Sequence, residues 1–244
     1  MGRTHCLSGA ATWLAGCSAL VAAGQPVSPT VAFIGAVVAA GFSLLPDLDT
    51  PDSTISRSAG RLSLTVARGC ASGARRLRAA SCRHCRGLPE LTGHRGVTHT
   101  VAFALAVGAV VALAGWTVGC WAGLPTVWVA AALAVRALLT RQVRGVMGIP
   151  VVATAAAVAA AAAPGHGWWW LGLPVAWGTL VHSLGDAMTG RGVPLAWPLQ
   201  VGACRWRRLG VPQWMRFSVG GRMEDLVRLL LAVSSVAAGG YLLG

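Results

Sequence analysis

What most constrains this chain is the spacing of its charges. Only 11% of its 244 residues are charged, 55% are hydrophobic, and the charges collect between long apolar runs. Several of those runs approach the roughly 20 residues needed to cross a bilayer. A soluble domain usually carries about 25% charged residues, and a mean hydropathy of +0.63 leaves little polar surface to cover a water-facing fold. The chain therefore reads as all-α: a polytopic transmembrane helical bundle of about seven spans, forming one integral membrane domain over residues 1–244.

The spans are expected at about 4–23, 27–45, 97–118, 124–139, 146–163, 168–188 and 226–243. Gly24-Gln25-Pro26 turns the first, and Pro46 stops the second, because proline cannot continue the backbone ladder. The first run follows Arg3, but it is long, shows no small-residue cleavage site and is followed by further spans. A retained helix is expected there rather than a signal peptide. Two basic segments interrupt the pattern. One is an insert at about 50–93 carrying Arg57, Arg61, Arg68, Arg75, Arg76, Arg78, Arg83 and Arg86; the other is a loop at about 190–223 carrying Arg191, Arg205, Arg207, Arg208, Arg216 and Arg222.

The formal charge is +13, and all 20 basic residues are Arg. Such a balance can mark a nucleic-acid binder. In a chain this apolar the commoner cause is orientation, because Arg collects in the loops that stay in the cytoplasm. Placing the 50–93 insert inside puts the N-terminus, Arg141, Arg144 and the 190–223 loop inside as well. The loops near 24–27, 118–124 and 163–167 hold no Lys or Arg. The expected location is a bacterial inner membrane, multi-pass, with the N-terminus inside. Interspersed Leu62, Leu64, Val66 and Leu77 suit the basic insert to lying along anionic lipid, and membrane lipid is the expected partner. Trp168-Trp169-Trp170 reads as an interfacial anchor at the opposite face.

This topology brings the scarce polar groups to one depth. His5, Asp47 with Asp49, His94 with His99, His182 with Asp186, and Glu224 with Asp225 all fall at inner ends of spans. Among the acids only Glu90 stands clearly apart, and among the imidazoles His166 and, arguably, His84. Ionisable groups at membrane depth are costly unless something binds them. Asp47-x-Asp49 follows a helix end and can turn two carboxylates to one cation, with Asp52 a third acid nearby; the bland alternative is a solubilising terminus. His94-Arg95-Gly96-Val97-Thr98-His99 offers two imidazoles, the commonest protein metal ligand, and Arg95 beside them suits an anion. Thr98 is the expected helix cap.

His182 and Asp186 have the i,i+4 spacing that shares one helix face, as a ligand pair or as a His–Asp bond locking two spans. Glu224 sits in the first turn of the last span, where the helix dipole alone would favour it; it is equally a candidate ligand or base. Of seven Cys, Cys6, Cys17 and Cys120 lie in or beside apolar runs as packing residues. Cys82-Arg83-His84-Cys85 is a lone Cys-x-x-Cys, short of the four ligands of structural zinc.

Several of these segments resemble a known family. Thr4-His5, Leu45-Pro46-Asp47-Leu48-Asp49, Gly93-His94-Arg95-Gly96-Val97-Thr98-His99, His182 through Asp186 with Thr189 and Gly190, and Gly221 through Glu224 occur in the order seen in membrane-bound metal-dependent hydrolases described as LexA-regulated and inner-membrane-associated. The resemblance implies an inner-membrane hydrolase. From the residues themselves, Asp47, Asp49, His94, His99, His182, Asp186 and His5 are the metal candidates, for Zn, Mn or Mg. Glu224 or Asp52 is the candidate base, and Arg95 would hold an anionic substrate oxygen. A lipid ester or phosphoester is the expected substrate. An ion or metal transporter, or a scaffold tied by a structural metal, are the rival readings.

Overall fold

A computed structural model describes residues 2–82, 94–139, 148–163, 167–190, 192–216 and 218–244. Of the residues singled out above, Arg83, His84, Cys85, Arg86, Glu90, Gly93, Arg141, Arg144, His166 and Arg191 lie outside the described residues. Within them the chain forms eight helices and no strand: α1 (Gly2–Ala22), α2 (Pro29–Phe42), α3 (Gly60–Ser81), α4 (Val101–Thr117), α5 (Cys120–Leu138), α6 (Gly148–Ala162), α7 (Gly172–Ala187) and α8 (Arg222–Tyr241).

Three elements are long and apolar enough to cross a membrane: α1, α2 with its extension to Asp49, and α5; α4 and α6 are shorter apolar helices. Exposed surfaces of the bundle are apolar as well, as at Leu105, Val110 and Trp116 of α4, Trp121 of α5, Val158 of α6 and Val236 of α8. Water would not tolerate that surface. Lipid does, because the helix has already satisfied its own backbone polar groups.

α2 is central, and small residues let its neighbours approach it. A side chain at Gly9 of α1 or Gly178 of α7 would run into the Ala39 backbone, and one at Gly41 would run into Ala130 of α5. Membrane helices associate through close approach of this kind. Trp170, Leu171, Val175, Val38 and Val127 fill the core beside these contacts. α1 and α8 run parallel, paired from Thr4–Glu224 at one end to Ser18–Ala238 at the other. α4 packs against α7 through Gly108, which meets Gly172 and Ala176, and Gly115 lies on the Trp168 carbonyl.

Several boundaries differ from the sequence expectation, for local reasons. α2 ends at Phe42, and Leu45–Asp49 coils into a 3-10 turn with Pro46 inside it. Residues Val97–His99 form a second 3-10 turn, so α4 begins at Val101. Its cap is Thr100, whose hydroxyl accepts from the Phe103 N–H, not Thr98. Thr98 has a different acceptor, described below. α8 begins at Arg222, which puts Glu224 in its first turn, buried between exposed neighbours. The basic insert contains a full helix, α3, buried along Ala67, Ala71, Ala74 and Arg78, with Leu62 and Val66 exposed.

Candidate metal centre

Four separate elements end at one point. The start of α1 supplies His5, the turn after α2 supplies Asp47 and Asp49, the segment before α4 supplies His94, Arg95 and His99, and the last two turns of α7 supply His182 and Asp186. Two overlapping groups, His5 with His182 and Asp186, and Asp47 with His99 and His182, have donor atoms within 4.8 Å of one another. His99 and His182 are fully buried, and Asp49 and Asp186 nearly so.

Hydrogen bonds fix the imidazole tautomers. His182 Nδ1 lies 2.7 Å from the Ser43 carbonyl, which can only accept, so Nδ1 carries the proton. The Thr98 hydroxyl donates to Asp49 Oδ2 at 2.8 Å, leaving its oxygen to accept from His99 Nδ1 at 3.0 Å. In the neutral rings both Nε2 atoms are therefore bare lone pairs. Both are buried and without a hydrogen bond among the described residues. His182 Nε2 faces Asp47 Oδ1 at 3.6 Å and Asp186 Oδ2 at 4.0 Å, and His99 Nε2 faces Asp186 Oδ2 at 3.5 Å. A lone pair does not face a carboxylate oxygen comfortably, but a cation between them satisfies both. The His5 ring stacks on His182 at 3.8 Å and sets Nε2 3.5 Å from Asp186 Oδ1.

The charge balance agrees. Asp47, Asp49 and Asp186 bring three carboxylates, and Arg95, whose Nε donates to Asp186 Oδ2 at 2.8 Å, brings one guanidinium. With neutral imidazoles, two negative charges remain, which one divalent ion would balance. Buried charge left unbalanced is expensive. The donor set, imidazole nitrogen and carboxylate oxygen, fits such an ion, so these His and Asp groups could hold a metal.

Around the donors lies a supporting layer. Asp49 spans His99 and His94, accepts from the Gly96 N–H at 3.3 Å, and lies 3.1 Å from His94 Nδ1. His94 also lies 2.6 Å from the Thr50 hydroxyl and is the most open imidazole among the described residues, with 39% of its side chain exposed. Arg95 has a positive φ of 57°, which turns its guanidinium back to Asp186 and to the Thr189 hydroxyl at 2.9 Å. Arg95 thus neutralises a ligand candidate rather than standing open for an anion. Two sequence candidates lie outside this arrangement. Asp52 is on an exposed turn and pairs with Arg57. Glu224 accepts from Thr4 and from the Gly220 N–H, and it lines a separate cavity with Gly2, Arg3, Thr54, Arg136 and Arg228. Ser43, which orients His182 through a backbone carbonyl, has no signal in its side chain that could have marked it.

The family model for the YdjM inner membrane protein matches residues 1–140 and 144–243 of the chain. No curated protein and no solved structure matches.

Proposed function

Because the chain belongs to the YdjM inner membrane protein family, its apolar helices work in a bilayer, and from that premise we propose that it is a membrane-embedded, divalent-metal-dependent hydrolase. The observation that carries this reading is the pair of orphaned, buried Nε2 atoms of His99 and His182, aimed at Asp47 and Asp186. His182 has one free lone pair and belongs to both donor groups, which supports a single ion shared by them. The imidazole donors favour Zn over Mg, while the carboxylates also suit Mn. Seven helices, all but α3, would cross the membrane, with the N-terminus, α3 and the metal end in the cytoplasm, as the Arg-rich loops suggest.

A divalent ion held there would supply an acidified water, its pKa lowered from 15.7 toward about 7. The chain's own groups would do the rest. His94, backed by Asp49 and open to the surface, would take the proton, a role the sequence alone suggested for Glu224 or Asp52. Arg95 would hold Asp186 in its ligating rotamer. Asp47, with 22% of its side chain exposed, marks the open side of the site. A purely structural metal would sit in a closed set of protein ligands, so this opening supports catalysis over a scaffold role. Inner headgroup depth favours a lipid ester or phosphoester as substrate.

The test is to purify the chain in detergent, measure bound metal, and repeat with His99→Ala and His182→Ala. Metal content should fall by about one ion per chain in both and stay unchanged in Asp52→Ala. Unchanged metal in both histidine variants would remove the basis of the proposal. Turnover of lipid phosphoesters in mixed micelles should then require the metal. Metal flux into liposomes without turnover would favour a carrier.

A further inference from the structure

The loop over residues 192–216 has little regular structure: two isolated bridges, Val193–Leu209 and Val201–Cys204, and one short 3-10 turn. It nevertheless lies against the metal end. The Val211 N–H donates to the Ala187 carbonyl just past Asp186, and the Val101 N–H at the start of α4 donates to Leu195. A segment with so little core needs another constraint to hold one conformation.

Such a constraint lies at the far end of the loop. Cys82 caps the C-terminus of α3, and Cys204 comes from the loop, 122 residues on; their sulfurs are 3.5 Å apart. That is far longer than an S–S bond of about 2.05 Å. It is close to the roughly 3.8 Å that separates two thiolates on one tetrahedral zinc with Zn–S bonds of about 2.3 Å. The Trp206 N–H points at Cys204 Sγ at 3.3 Å, a donor suited to a thiolate. Trp206 itself is buried, stacks on Trp197 at 4.9 Å, donates to the Ser81 hydroxyl, and carries the Arg78 guanidinium over its ring.

We propose that Cys82 and Cys204 are two donors of a second, thiolate-type site for zinc or a similarly soft divalent ion, which staples α3 to the 192–216 loop. On binding, each thiol releases its proton to solvent and forms a sulfur–metal bond; nothing is oxidised or reduced. Thiolates select zinc-class ions over Mg or Ca. This staple would fix the loop that covers α7 and the start of α4, independently of what the His/Asp centre does.

Cobalt separates the two sites, because only sulfur ligands give an intense near-ultraviolet thiolate-to-cobalt absorption. Full-length protein, stripped with chelator under reductant and loaded with Co2+, should show that band, and Zn2+ should abolish it. The band should persist in His99→Ala and in Cys120→Ser, and be lost in Cys82→Ser and Cys204→Ser. If the serine variants do not fold, Cys204→His keeps a zinc donor and should roughly halve the band, one thiolate of the pair being gone. Absence of the band in the unaltered protein, or its indifference to every change at Cys82 and Cys204, would overturn the proposal. So would a Cys82–Cys204 disulfide in protein purified anaerobically.

Discussion

At the scale of single residues, the chain resolves its chemistry by hydrogen bonds that point outward from the candidate donors. Asp49 does not face the candidate ion; it orients His99 through Thr98 and holds His94. Groups of this kind typically change metal affinity by about 10- to 100-fold when removed. Asp49→Asn is therefore expected to weaken metal binding by that factor while the protein still purifies as a folded species, measured by competition with a chromophoric chelator. Thr98→Val should act in the same direction but less, because the carboxylate remains. Acid should also empty the site. The imidazole nitrogens that bind a metal must be unprotonated, so uptake releases protons and affinity falls as pH falls. Metal titrations at pH 7.5 and at pH 5.5 should show tighter binding at the higher pH, with proton release detectable in weakly buffered solution.

At the scale of helices, glycine does opposite things in two places. On α7 and α1 it permits contact: a Cβ at Gly178 would come 2.2 Å from the Ala39 carbonyl oxygen, and one at Gly9 would come 2.5 Å from the same atom. Overpacking such a contact costs about 1–3 kcal/mol or more, and α2 carries the turn that bears Asp47. Gly178→Leu should thus lower the melting temperature in detergent and reduce bound metal together. On α3, Gly69 and Gly73 have open space around the position of a Cβ. There glycine gains nothing from close packing and costs up to about 1 kcal/mol relative to alanine. Gly73→Ala should leave metal content unchanged and hold or raise the melting temperature. Scanning fluorimetry on the two variants side by side checks both signs.

At the scale of the whole molecule, the candidate ion would join the ends of four separate segments. A ligand that binds only the folded state adds about 2.7 kcal/mol when present at 100 times its dissociation constant. Chelation should therefore lower the melting temperature, and readdition of Zn or Mn should restore it more fully than Mg. Orientation is testable at the same scale. A cysteine placed at Leu77 should react with impermeant maleimide only from the cytoplasmic side, and one at Trp116 only from the other. The sequence by itself determined that this is a helical chain for a bilayer, and which scarce polar residues would end at one level, because charge in lipid is so costly that its positions record topology. It also marked His182 and Asp186 as one face, since that follows from helical period alone. It could not decide that Asp49 and Thr98 serve His99, that Ser43 supplies a backbone acceptor, that Asp52 turns outward to Arg57, or that Cys82 meets Cys204. Those outcomes depend on where separate segments arrive in space, and in a helical bundle the packing of helix against helix sets that, through contacts between residues far apart in the chain.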